Sequence, residues 1–130
     1  MPPTTVKAAL EDLLLRRDLA VDDAIDRHFT PDYRQRTDGE WSDRAEFAAH
    51  ISHLRAVVAT MTIHVHEELS AGSLYAERHT VELTKTDGSP VTSEVYLFGE
   101  RAPDGRFSRI EEVTMLISGS EEDRGLGSSR

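Results

Sequence analysis

The stretch that decides the fold covers residues 106–118 and reads Arg-Phe-Ser-Arg-Ile-Glu-Glu-Val-Thr-Met-Leu-Ile-Ser. It is strand-forming, and successive side chains of a strand point to opposite faces. Glu111 therefore shares a side with Phe107, Val113, Met115 and Ile117, and Glu112 shares one with Ile110, Thr114 and Leu116. At least one of the two carboxylates must face an apolar environment. There it is either held charged by a partner or carries a raised pKa useful for proton transfer.

Immediately before this strand, Pro103-Asp104-Gly105 marks a turn that follows a strand over 91–101. Asp87-Gly88 is a second turn, after a strand over 74–86, and Ala71-Gly72-Ser73 a third, after residues 60–69. In that first strand Met61, Ile63 and Val65 alternate with Thr62, His64 and His66, the pattern of a half-buried strand. Three tight turns in succession predict a four-stranded antiparallel meander with a curved sheet.

Upstream the periodicity becomes helical. Val6, Leu10, Leu13 and Leu14 follow a cap at Thr4 or Thr5. Asp18 is expected to cap a second helix carrying Val21, Ala24, Ile25 and Phe29, which Thr30-Pro31-Asp32 ends. A short extended piece from Tyr33 to Arg36 places Tyr33 and Gln35 on one side, and Asp38-Gly39 forms a turn. Asp43 and Glu46 have capping-box spacing for a third helix, whose buried stripe is Phe47, Ile51, Leu54 and Val58. The predicted class is α+β: a curved antiparallel sheet of four long strands plus a short N-terminal strand, packed against three N-terminal helices. One domain over residues 1–119 is expected, with the Gly-, Ser- and charge-rich residues 120–130 as a flexible tail.

The chain has 130 residues, with fifteen Lys and Arg against twenty-four Asp and Glu and a formal charge of −9. That charge, without a basic stripe, argues against nucleic acid and anionic membranes as partners. The absence of cysteine excludes disulfides and thiolate chemistry. No apolar run approaches the roughly 20 residues of a membrane span, and no signal-peptide pattern opens the chain, so a cytoplasmic protein is expected.

Glu112 is the candidate proton acceptor. Arg78 and Thr80 share a strand face with Ala76, and a guanidinium there would hold and orient the carboxylate. Tyr33 would donate a hydrogen bond to a substrate oxygen and Gln35 would fix a water. Ile110 and Thr114, on Glu112's side of the strand, join Thr80 and His50 as the expected substrate-binding wall, with His50 bordering the helix stripe. Trp41 is either a lid over that pocket or a packing anchor for its loop. His28 is expected near the cavity mouth. Glu111 is expected to pair with Arg109 or Arg101 at the surface. His64, His66 and His79 could converge as metal ligands or stand as solvated histidines beside Glu67 and Glu68, and the latter reading, with no metal, is adopted.

The order of elements, with the motifs Phe29-Thr30-Pro31-Asp32-Tyr33-Arg34-Gln35, Asp43-Arg44-Ala45-Glu46-Phe47, Glu77-Arg78-His79-Thr80 and Gly105-Arg106-Phe107-Ser108 leading to Glu111-Glu112-Val113, resembles the nuclear transport factor 2-like superfamily. The branch it is most similar to holds the SnoaL-like polyketide cyclases and limonene epoxide hydrolases. The resemblance covers residues 5–118 and implies a cone-shaped α+β fold around a small-molecule pocket. It implies further that Tyr33 and Gln35 match a Tyr-x-Asn pair, Arg78 the arginine of an Arg-x-Asp pair, and Glu112 the water-activating Asp of the last strand. Thr80 stands where that family has its second carboxylate, the acid that protonates the epoxide oxygen.

Two functions follow. One is a cofactor-independent acid–base enzyme, an isomerase, cyclase, dehydratase or hydrolase, acting on a small apolar organic molecule. The other is a non-catalytic ligand-binding or dimeric interaction module in which the same polar residues are structural and a homodimer covers the second face of the sheet.

Overall fold

In the computed structural model, which describes residues 3–128, a helical N-terminal third feeds directly into one curved sheet. Helix α1 (Val6–Leu14) is capped by Thr5, whose Oγ1 accepts from the Ala8 amide at 3.2 Å. Arg55 receives the far end of α1, donating from Nε to the Leu13 carbonyl and from Nη1 to that of Leu19, each at 2.6 Å. Helix α2 (Val21–His28) is not capped by Asp18, which instead pairs with Arg16 at 2.7 Å. Its cap residue is Ala20, without a side-chain bond, so α2 depends on Asp22 and Asp23 at its positive end and on burial of Ala24 and Ile25.

The chain passes from α2 into strand β1 (Phe29–Thr37) without a loop. Proline is tolerated within β1 because the ladder to its neighbour skips from Phe29 to Arg34, so the missing N–H of Pro31 interrupts nothing. A second N-terminal strand, β2 (Glu40–Asp43), adds to the single one expected. Asp38 at φ 50° and Gly39 at φ 90° make a hairpin turn whose twist matches the flanking strands, and it folds β2 onto β1. Helix α3 (Arg44–Val57) opens on the expected capping box, with Asp43 accepting from the Glu46 amide at 2.8 Å and Glu46 reaching back to the Asp43 amide at 3.1 Å.

The meander then follows as β3 (Val58–Ala71), β4 (Leu74–Lys85), β5 (Pro90–Arg101) and β6 (Phe107–Ser118). Among the described residues the sheet has six strands in the order β2-β1-β6-β5-β4-β3. All neighbours are antiparallel except β1 and β6, which are parallel, so the all-antiparallel expectation is corrected at that one pair. The helices cover the inner, concave face. At its narrow end Phe29, Tyr33, Phe47, Tyr75 and Phe107 interlock, with centroids 4.5 Å apart for Phe29–Tyr33 and 5.2 Å for Tyr75–Phe107. A bulge between Glu100 and Arg101 shifts the start of β6, so Phe107 lies inside with Ile110 and Glu112 rather than on Glu111's side.

The segment expected to be a flexible tail also differs. Residues Glu121–Ser128 form a 3₁₀ helix in which Asp123 is only 5% exposed and Leu126 packs against the core. Asp123 accepts from Lys85 Nζ at 2.8 Å and from the Ser120 amide at 2.9 Å, which returns the segment to the sheet. Met1, Pro2, Ser129 and Arg130, included in the expected domain and tail, lie outside the described residues. Among the described residues no helix is long and apolar enough to cross a membrane.

Candidate functional site

Alternation along β1 turns Tyr33, Gln35 and Thr37 inward, and they form a chain of hydrogen bonds running one way. The Tyr33 hydroxyl donates to Gln35 Oε1 at 2.7 Å, Gln35 Nε2 donates to Thr37 Oγ1 at 3.1 Å, and Thr37 Oγ1 donates to Glu112 Oε1 at 3.0 Å. Each donor is spent on the next acceptor, which fixes the amide orientation of Gln35. Tyr33 is fully buried, and its phenol is pushed well above the ordinary range first by that burial and then by the Glu112 charge.

Glu112 ends the chain. Glu112 is half-buried, and desolvation of its carboxyl pushes its pKa up from 4.5 to about 7, with the Thr37 hydrogen bond and the charge of His79 pulling the other way. A carboxyl group there divides between acid and base near neutral pH, the condition for efficient proton transfer.

Opposite it on β4, the inward residues are Tyr75, Glu77, His79, Val81 and Leu83, by register with β5 and β3. Arg78 and Thr80 therefore face outward, contrary to expectation. Arg78 donates to Glu67 Oε1 from Nη2 at 3.0 Å and from Nε at 3.2 Å, and that hydrogen bond is the first cause of its raised pKa. Thr80 Oγ1 lies 2.7 Å from His66 Nε2 on the same outer face. Where the resemblance places an inward Arg-x-Asp pair, this chain has Glu77 and His79. Their side chains are 0% and 2% exposed, and Glu77 Oε1 lies 2.5 Å from His79 Nδ1. Glu77 Oε2 finds no hydrogen-bond partner among the described residues. Because Arg78 does not meet Glu112, Arg78→Ala is expected to leave the titration of Glu112 unmoved. A carboxyl-resolved NMR titration checks this, and a shift of half a unit or more would return Arg78 to the site.

Glu112, His79 and His50 line one inner cavity of about 130 Å³, otherwise walled chiefly by apolar side chains from α1, α3 and the sheet. Thr114 also lines it, although its hydroxyl and amide are bound to Asp38 at 2.6 and 2.7 Å. Ile110 is buried below, next to Gln35 in the β1–β6 register. Tyr33 and Gln35 are not among the lining residues, so they support Glu112 from behind. Trp41 lies away from the cavity, 47% exposed on β2, with the Arg34 guanidinium 4.8 Å from its ring centroid. His28 is held between Thr4 and Asp12 at 2.6 and 2.7 Å, not at the cavity mouth. His64 lies outward, 3.5 Å from Glu82, so it and His66 do not meet His79. Glu111 pairs outside with Arg109 at 3.0 Å.

A larger, open trough of about 590 Å³ is lined by the outer-face residues Arg78, Tyr96, Phe98 and Val113, and Glu77 and Glu112 border it as well. The inner cavity is the more concave and apolar of the two surroundings, the kind that small-molecule sites favour. Thr37, Glu77 and His79 are the site residues the sequence reading left without a role. For Thr37 the signal was the Tyr33, Gln35, Thr37 alternation; for the other two it was the apolar company of Tyr75, Val81 and Leu83 on their side of β4.

Comparison with known proteins agrees with this architecture. The SnoaL-like domain model matches residues 6–110. An uncharacterised protein of Schizosaccharomyces pombe is 33% identical over 99 residues, covering 76% of this chain and 75% of that one. Among solved structures, an NTF2-like protein of unknown function from Exiguobacterium superposes with a TM-score of 0.68 at 14% identity, covering 86% of this chain and 98% of that one. An LEH-like epoxide hydrolase of M. tuberculosis gives 0.65 at 17% identity, over 84% and 79%. Such low identities establish the fold alone. With inner polar residues on a six-stranded curved sheet and a family model spanning most of its length, the chain belongs to the SnoaL-like domain family.

Proposed function

We propose that the protein is a cofactor-independent acid–base enzyme that moves a proton on a small apolar organic molecule, with Glu112 as the proton acceptor. The observation that carries this reading is a carboxyl group with a pKa of about 7 on the wall of an apolar cavity. Tyr33, Gln35 and Thr37 position it from behind, and His79, itself positioned by Glu77, lines the same space. For a substrate with a carbonyl, the Glu112 carboxylate takes the proton from the adjacent carbon. The C–H electron pair becomes the enolate, and return of the proton to another carbon completes an isomerisation. Attack of that carbon on a second carbonyl of the same molecule breaks its C=O π bond, and return of the Glu112 proton to the resulting alkoxide completes a cyclisation instead. Epoxide hydrolysis is the weaker variant, because Glu77 and His79 replace the pair that serves it in the resembling family. A cytoplasmic location belongs to the same proposal. On any substrate turned over, Glu112→Gln should lower kcat by about 10²–10⁴-fold, the usual worth of a positioned base. Turnover within a few-fold of the parent would remove Glu112 from the reaction.

A homodimer through the outer sheet face accompanies this reading. Leu69 and Phe98 are 72% and 67% exposed, and Tyr96, Val113, Met115 and Ile117 extend the same apolar surface. Phe98→Glu is expected to halve the mass seen by light scattering. A parent chain already monomeric at micromolar concentration would dismiss the dimer.

A further inference from the structure

One side of the inner cavity is bordered by the C-terminal 3₁₀ segment: Asp123, Arg124, Leu126 and Gly127 all contribute to its lining. Leu126 packs against the core, and Gly127 approaches so closely that a Cβ there would meet Thr114 Cγ2 at 3.2 Å. The segment is held by polar contacts outside the apolar space. Lys85 Nζ reaches Asp123 Oδ1 at 2.8 Å, while Asp123 Oδ2 accepts from the Ser120 amide and hydroxyl at 2.9 and 3.1 Å. The bend that turns the chain back is tight, since a side chain on Gly119 would come within 2.9 Å of the Asp123 carboxylate. The cavity volume of about 130 Å³ is near the roughly 150 Å³ of an apolar cavity that holds benzene.

We infer that the C-terminal segment is the specificity element of the cavity: Leu126 sets the length of ligand that fits beneath it, and the Lys85–Asp123 pair keeps it in place, restricting the closed form to compact, largely hydrocarbon ligands of about ring size. This rests on the reading of the cavity as a ligand site and not on the proton transfer assigned to it. A ligand longer than the cavity must displace Leu126 and break the Asp123 contacts, and that cost falls on long ligands only.

Binding of a homologous series of 2-alkanones, from 2-butanone to 2-undecanone, by ligand-observed NMR on the full-length chain tests it. In the parent, affinity should rise about fourfold per methylene until the ligand fills the cavity, then stop rising or fall. Leu126→Ala should move that break at least two carbons further and tighten the longest ketones about tenfold, leaving the shortest unchanged. Asp123→Asn should move the break the same way by loosening the segment. Thermal melts confirm that each variant is folded. A break unmoved in both folded variants, no break in the parent, or no binding by any member would overturn the inference. Failure here is separable from failure of the proton-transfer reading: a Glu112 that titrates as an ordinary carboxyl sinks the latter while the length profile stands.

Discussion

At pH 8 the Glu112→Gln variant is expected to be more stable than the parent chain by on the order of 2–3 kcal/mol, with the difference fading toward pH 4. The folded pKa of about 7 lies above the ordinary 4.5, so folding favours the protonated form. Below pH 4.5 the group is protonated in both states and its favourable contribution is fully present. As pH rises toward 7 the unfolded chain ionises first, and stability falls. Above 7 the fold carries the cost of a desolvated carboxylate, on the order of 2–3 kcal/mol for a group raised from 4.5 to about 7. An amide has no charge to desolvate, and its oxygen still accepts from Thr37. Urea unfolding of both proteins at pH 5 and pH 8 measures this directly. A parent chain equally stable at both values, with the variant parallel to it, would show that Glu112 is not desolvated, and the base would lose its physical footing.

The second large effect concerns the buried pair on β4. Glu77→Leu leaves His79 without its carboxylate, and His79→Leu leaves a carboxylate sealed among apolar groups, since Glu77 Oε2 already lacks a partner among the described residues. Each single change is expected to cost about 3–5 kcal/mol, the usual penalty for breaking a buried pair. The double replacement by leucine should cost far less than the sum, because two leucines satisfy each other where one leaves an orphan. Denaturation of the four proteins in the cycle gives the coupling energy. If the singles simply add, Glu77 and His79 do not act as a unit, and the orientation assigned to His79 fails.

The elements with clean periodicity were legible from the residues. The Asp43–Glu46 box and the three hairpin turns follow from capping and turn chemistry, while a period of two required one of Glu111 and Glu112 to face inward without choosing between them. The orientation of β4 was harder, for a physical reason. Its inner face carries Glu77 and His79 between apolar residues, so the polar members of the site disguise the core-facing side, and Arg78 and Thr80 took their place in the sequence reading. Strand β2 is four residues long and largely exposed, too short to show alternation. The 3₁₀ segment has tail-like composition. It is held by long-range partners, Lys85 and the core, that no local pattern announces. The bulge at the start of β6 likewise arises from pairing with β5, not from the residues of β6 alone.

The Asp38 turn reaches sideways into the last strand. Its amide donates to the Glu112 carbonyl at 3.0 Å, and its carboxylate accepts from the Thr114 amide at 2.7 Å. The backbone on both sides of the Glu112 carboxyl is thus pinned by an exposed loop tip. The height of that group above the cavity floor is set from the surface, where residues are freest to vary, so substitutions at one solvent-facing corner offer a way to retune the acidity of an interior group without touching the interior.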